Sequence, residues 1–287
     1  MKYSIAGYKL ELRGENSDYI AKMMHGYESD FSDADLVITY SVEDKIKFNS
    51  GSNAVAGAGK FSWQADESDS SVYAYTFSKT YNLYLAVIRW NGEFNRADIY
   101  AIDSCPLGGP SIDVKLFGLI GQAFYYMLMM HHSMVFHASA ISYKKNGILF
   151  SAPSETGKST QSHMWEQLFP DDVKFINDDN PVLKIEDDVV YVYGTPWAGK
   201  NSINNNISAK VSAIICLEQY SKIEIKKLSG LDAFFRVYNE TNKPVLENML
   251  EVLLGDVNKL IEKTDVYLMK CNLTQDTVYE VKKLLGL

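Results

Sequence analysis

Residues 148–160 read ILFSAPSETGKST. An apolar run enters a turn-prone stretch, and a helix-competent segment opens at Lys158. The order strand, loop, helix fits the phosphate-loop pattern G-x-x-x-x-G-K-[ST]. Ala152 stands at the first glycine position, followed by four residues and then Gly157, Lys158 and Ser159. Alanine keeps the short side chain that position needs, with less backbone freedom. Gly157 lets the chain turn so that successive N–H groups aim at anionic oxygens. The helix N-terminus adds its partial positive charge at the same place. Lys158 neutralises β- and γ-phosphate charge, and the Ser159 hydroxyl is placed to hold Mg²⁺. The expected nucleotide-binding segment is Ser154, Glu155, Thr156, Gly157, Lys158, Ser159 and Thr160.

Three Asp-Asp pairs follow the loop. Asp171-Asp172 comes after Pro170 and before a strand, and Asp187-Asp188 separates two β-rich runs, so turns account for both. Asp178-Asp179 ends the apolar strand VKFIN, 20 residues after Lys158. One helix and one return strand fill that interval. The pair can therefore come back beside the loop, where strand ends of α/β sheets carry ligands. Phosphoryl transfer to a hydroxyl uses one carboxylate to hold Mg²⁺ and another to orient and deprotonate the attacking oxygen. A tandem pair can supply both. The competing reading is a solvated turn before Asn180-Pro181.

Working outward, residues 1–104 are strand-rich, with candidate strands at 3–12, 35–42, 72–77, 84–90 and 97–102. A helix is expected at 17–27, capped by Asn16 or Ser17, and a flexible loop at 51–59. The stretch CPLGGPS at 105–111 marks a boundary between a domain over 1–108 and a domain over 109–287. A helix is expected over 112–132, apolar nearly all round and therefore buried. Beyond it the chain becomes α/β, with strands at 134–142, 148–152, 173–177, 182–185, 189–193, 209–217, 223–228 and 266–270. Helices are expected at 158–169, 231–238, 243–262 and 274–285.

The 287 residues carry 28 basic and 36 acidic side chains, a formal charge of −8. Residues 1–104 hold 10 basic and 15 acidic, and 109–287 hold 18 and 21. That balance argues against general nucleic-acid binding, which needs a clustered positive surface, and equally against a polybasic membrane patch. Residues 116–143 lack charge, but their Gly, Gln, Tyr and His content and the β-rich continuation read as a buried helix rather than a membrane span. The three cysteines have no metal or redox spacing, and the N-terminus has no signal-peptide pattern, so a reducing, cytoplasmic setting is expected.

His137, a hairpin, SAPSETGKST and then INDDNP occur in that order. This resembles the C-terminal catalytic domain of HPr kinase/phosphorylase. It is more similar still to HPr-kinase-related proteins labelled phosphoenolpyruvate-carboxykinase-like. Those relatives carry GKST-x-x-x-x-W, NDD-x-P and GTPW-x-GK runs. Here they read Gly157–Lys158–Ser159–Thr160 with Trp165, Asn177–Asp178–Asp179 with Pro181, and GTPWAGK at 194–200. The resemblance covers roughly residues 110–230. It implies a mixed-sheet α/β core like that of phosphoenolpyruvate carboxykinase, preceded here by a smaller strand-rich domain. It also implies that His137 lies near the γ-phosphate, that Asp178 is the base and that Asp179 is a metal ligand. Lys200 would sit in a mobile loop that contacts phosphate or substrate. Residues 1–104 do not resemble the family's N-terminal domain, and neither its C-terminal signature nor its HPr-docking helix is matched. The acceptor is therefore expected to be another Ser/Thr hydroxyl, in a protein, peptide or small molecule.

The expected function is thus an ATP-dependent kinase using Mg²⁺, with Mn²⁺ as the alternative metal. Arginine, often used against transition-state charge, is scarce: Arg236 alone lies beyond residue 108. Arg13, Arg89, Arg96 or a partner subunit of a homo-oligomer are the other sources. A carboxykinase acting on oxaloacetate is disfavoured by that scarcity. A non-catalytic nucleotide-sensing or peptide-binding module is disfavoured by the intact Lys158, Ser159 and Asp pair.

Overall fold

The structure is a computed structural model describing residues 1–51, 54–56, 61–103, 110–199 and 202–287. Its elements run β1 (Lys2–Ile5), β2 (Tyr8–Arg13), α1 (Asp18–Met23), β3 (Leu36–Val42), β4 (Val55–Ala56), β5 (Ser62–Ala65), β6 (Val72–Ser78), β7 (Leu83–Trp90), β8 (Arg96–Ala101) and α2 (Ile112–Met130). Then come β9 (Ser133–Val135), β10 (Ala138–Tyr143), β11 (Asn146–Ser151), α3 (Lys158–Leu168), β12 (Val173–Asn177), β13 (Val182–Glu186), β14 (Val189–Tyr193) and β15 (Ser208–Gln219). β16 (Glu224–Leu228), α4 (Gly230–Asn239), α5 (Glu247–Lys263), β17 (Val266–Cys271) and α6 (Asp276–Leu285) complete the chain. The protein is a mixed α/β chain with two mixed sheets.

Two compact units emerge: Met1–His131 with Lys243–Glu251, and His132–Asn242 with Val252–Leu287. The expected boundary at 108/109 lies outside the described residues, and the helix expected to open the second domain belongs to the first unit. The reason is burial. α2 is apolar on nearly every side, Leu116, Ile120, Phe124 and Met127 are buried, and the helix packs on α1, β3, β7 and β8 of that unit. Trp90 on β7 donates its indole N–H to the Ala123 carbonyl at 3.1 Å. Trp90 also stacks on Trp63 of β5 (5.5 Å between centroids, 3° between planes), with Tyr126 of α2 edge-on to both.

The first sheet has the order β1-β2-β3-β8-β7-β6-β5-β4, with β3 parallel to both β2 and β8. The strand expected over 3–12 is a hairpin, because Ala6 and Gly7 both take positive φ (52° and 79°) and reverse the chain. A two-residue turn with left-handed backbone at both positions matches the twist of paired strands. The helix expected at 17–27 is the shorter α1, capped by the Ser17 hydroxyl on the Ile20 N–H. The loop expected at 51–59 contains β4, and its residues 52–53 and 57–59 lie outside the described residues.

The second sheet runs β12-β10-β11-β15-β14-β13-β9, with β17 and β16 continuing from β15. β15 is parallel to β11 on one edge; on the other, its start pairs with β14 and its end with β17. The strand expected over 134–142 is two strands. β9 pairs with β13, whereas β10 pairs with β11 and β12, so the chain changes neighbours at Phe136 and His137. The KKNG and Asp187-Asp188 turns form as expected, with positive φ at Lys144, Lys145, Asp187 and Asp188. The core joins α3 and α6 to the sheet through Trp165, Val278, Phe150, Phe175, Ile215 and Met269. Cys216 and Cys271 are buried free thiols there, and burial pushes the Cys216 thiol up to about 12. Among the described residues no helix is long and apolar enough to cross a membrane.

Candidate functional site

β11 ends at Ser151, and the chain turns through residues 152–157 into α3. Glu155 and Gly157 take positive φ, 66° and 114°. A Cβ on Gly157 would fall 2.2 Å from Leu273 Cδ1 and displace that side chain, and the positive φ strains any L side chain at this position. Gly157 is also the N-cap of α3 and offers no oxygen to the first-turn amides. Those N–H groups have no intrahelical acceptors. Ser154 and Glu155 are exposed at the loop tip, Thr156 and Ser159 are half-buried, and Thr160 is exposed on the first turn.

Lys158 opens α3 and is buried. Its Nζ donates to the Ala152 carbonyl at 2.7 Å and lies 3.5 Å from that of Pro153. Burial pushes its ammonium below the usual lysine range, while Glu240, Asp179 and Asp178 act in the opposite direction. Three carboxylates thus lie close enough to Lys158 to act on its charge.

The Asp pair follows β12, whose neighbour β10 lies next to β11. Asp178 is buried, and its Oδ1 accepts the Ser139 hydroxyl at 2.6 Å. That uses the one Ser139 hydrogen, so the Ser162 hydroxyl donates in turn to Ser139 Oγ at 2.7 Å. Ser162 is on α3, so this chain ties the helix that follows the glycine-capped loop to Asp178. Asp179 is half-buried. Its N–H donates to Asn177 Oδ1 (2.8 Å), as does the Asn180 N–H (2.7 Å), and its Oδ2 accepts from Asn180 Nδ2 (2.7 Å). The pair therefore sits in an Asn177-braced turn, as a solvated turn would, yet one of its carboxylates is buried.

His137 occupies the break between β9 and β10. Its Nδ1 lies 2.9 Å from Glu240 Oε2 and its Nε2 3.4 Å from Asp179 Oδ1. Neither carboxylate has a hydrogen to give, and the Glu240 contact is the closer one, so Nδ1–H is the donor to Glu240. Glu240 terminates α4, and its carbonyl also accepts the His137 N–H at 2.8 Å.

The segment after β14 folds back along β12. Asp178 N–H donates to the Ile203 carbonyl and Asn205 N–H to that of Ile176. Asn177 Nδ2 donates to the Thr195 carbonyl at 2.8 Å, and Thr195 and Trp197 are buried. Gly199 packs so closely on Asp179 that an added Cβ would lie 3.3 Å from the Asp179 Cβ. Lys200 itself lies outside the described residues.

The structure thus brings His137, Lys158, Asp178 and Asp179 into one neighbourhood. Glu240, Ser139 and Ser162 belong to the same cluster and were not singled out in the sequence. Glu240 stands in a polar run without a motif, 103 residues from His137, and no signal could have found it. Ser139 and Ser162 had a weak one, as hydroxyls on an otherwise apolar strand and a helix that flank the loop. Arg236 forms an ion pair with Glu218. Among the described residues, no group of three or more His, Cys, Asp or Glu side chains is arranged to hold a metal ion.

No protein-family model and no curated protein matches the chain. Among solved structures it is similar to an HPr(Ser) kinase/phosphatase from Coxiella burnetii, at 15% identity over 53% of this chain and 93% of that one, with a TM-score of 0.30.

Proposed function

We propose that the protein is an ATP-dependent phosphotransferase that moves the γ-phosphoryl group to a hydroxyl of a protein, peptide or small molecule. The observation that carries this reading is the hydrogen-bonded chain from Ser162 on α3, the helix that Lys158 opens, through Ser139 to Asp178, with His137 set between Asp179 (3.4 Å) and Glu240 (2.9 Å). A lysine at a glycine-capped helix start suits phosphate oxygens. Carboxylates beside it suit the metal and the acceptor hydroxyl.

The residues present fit the metal that such chemistry uses. Mg²⁺ bound with substrate phosphates keeps several waters and needs one or two protein ligands. The Asp179 carboxylate and the Ser159 hydroxyl would hold it, and Mn²⁺ accepts the same donors. When bound, the metal neutralises charge on the β- and γ-phosphate oxygens. Lys158 and the first-turn amides of α3 bind the phosphates. Asp178, held at Oδ1 by Ser139, takes the acceptor proton as the new P–O bond forms and the β–γ bridging bond breaks, releasing ADP. His137 lies beside Asp179 at the same centre, and Lys200 is assigned to contact phosphate or acceptor. The working environment is proposed to be the cytoplasm.

The test is nucleotide binding and transfer. Lys158→Ala is expected to weaken Mg-ATP binding at least tenfold in calorimetry. Asp178→Asn is expected to bind normally and to lose about 10²–10⁴-fold in transfer rate, the range of general-base catalysis. Unchanged affinity in the first variant would remove the site assignment, and full activity in the second would remove the base role.

A further inference from the structure

The Glu240 side chain serves none of the steps above, yet it is the residue most tightly joined to His137. Two separate bonds link them. The His137 N–H donates to the Glu240 carbonyl at 2.8 Å, and its ring Nδ1 lies 2.9 Å from Glu240 Oε2. The neighbouring pair, Phe136 and Thr241, forms a β-bridge, so the join extends over two consecutive positions. The far end of Glu240 is fixed as well. Its N–H bonds the Val237 carbonyl at the end of α4, and the Thr241 hydroxyl bonds that of Tyr238 at 2.8 Å. The Glu240 side chain is 17% exposed and the His137 side chain 31%, so water competes little for the carboxylate–imidazole bond.

We propose that Glu240 is the positioning residue of this site. It fixes hydrogen on His137 Nδ1 and turns the ring so that Nε2 faces Asp179 Oδ1. The inference rests on the phosphotransferase reading for its kinetic consequence but not for its geometry. An imidazole has two ring nitrogens that differ only through their partners, and an Nδ1 partner decides which one is turned to the reacting groups. Both ring nitrogens face carboxylates that can only accept, but Glu240 Oε2 is at hydrogen-bond distance from Nδ1 (2.9 Å) while Asp179 Oδ1 stands off Nε2 at 3.4 Å, so the closer partner selects the Nδ1–H form. The same carboxylate acts on the buried ammonium of Lys158. Glu240 is therefore held where a rotation of its side chain would disturb two groups of the site at once. Sequence order hides this, because the residue arrives from the end of α4 rather than from any strand beside the loop.

The experiment uses the full chain with ¹⁵N-labelled histidine, and His137 is assigned by its loss in His137→Gln. Long-range ¹H–¹⁵N correlation is expected to show a hydrogen-bearing Nδ1 in the wild type. Glu240→Ala is expected to remove that signature. Glu240→Gln, which keeps volume and an accepting oxygen, is expected to retain it and guards against a folding defect. A bare Nδ1 in the wild type, an unchanged ring in Glu240→Ala, or a Gln variant indistinguishable from the Ala variant would each overturn the assignment. In transfer assays Glu240→Ala should lower kcat about 10–100-fold, as loss of an orienting partner does, with KM for ATP within threefold. A rise in KM at constant kcat would instead make Glu240 a nucleotide-binding group and overturn the positioning role. Absence of any ATP-dependent transfer by the wild type would sink the proposed function, while the ring measurement would still decide the role of Glu240.

Discussion

At the residue scale, Lys158 shows what the site costs the fold. Its ammonium is buried against two backbone carbonyls, and burial outweighs the help of nearby carboxylates. Its folded pKa is lowered from 10.5, so the folded state binds fewer protons than the unfolded state between the lowered value and 10.5. Stability from this group therefore rises with pH across that window. Below the window the charged lysine is a net burden on folding. Lys158→Met should melt no lower than the wild type at neutral pH, while losing nucleotide binding. As pH is raised toward 10, the difference in melting temperature should shift in the wild type's favour. A difference that is flat, or moves the other way, would show that the ammonium is not penalised by burial. Asp178 poses the related problem for an acid. Its Ser139–Ser162 partners replace water at the buried Oδ1, because an unpaired buried acceptor costs about 1–3 kcal/mol.

At the element scale, the end of β12 is held by the chain that follows β14. Gly194 is where that chain passes closest. A Cβ there would lie 1.9 Å from the Asn205 carbonyl oxygen and 2.7 Å from that of Ile176. Both obstacles are backbone, so neither can swing aside. Gly194→Ala must displace Asn205 or Ile176, and Asn205 is the residue whose N–H and side chain bond β12 at Ile176 and Phe175. The expected loss of stability is about 1–3 kcal/mol, the range for inserting one extra carbon into a packed region. Urea unfolding checks it, and an unchanged midpoint would mean the segment is not packed as described. The break between β9 and β10 belongs to this scale too. The chain changes its pairing partners between the two strands at His137, and the His137 side chain there is part-exposed.

At the scale of the whole molecule, the loop, the Asp pair, His137 and Glu240 all belong to the second unit. Mg-ATP should therefore slow amide exchange at residues 152–160 and 177–180 and leave the strands of the first sheet unchanged. Ligand at about 100 times its dissociation constant should stabilise the unit that binds it by about 2.7 kcal/mol. Protection confined to the first sheet would place the nucleotide elsewhere. The sequence by itself determined most elements of both units, the glycine-capped turn at Gly157 and the strand-end position of Asp178-Asp179. These are local properties. Periodicity, turn chemistry and caps act over a few residues and are written in a few residues. Where a local signal is weak, as at Ala6-Gly7 or across Phe136-His137, two strands look like one in the sequence. Only the tertiary structure decided that α2 belongs with the first sheet, since an all-apolar helix carries no mark of which surface will cover it. Only the tertiary structure brought Ser139 to Asp178 and Glu240 to His137, because hydrogen bonds across 39 and 103 residues depend on strand pairing and helix placement. No spacing along the chain encodes them.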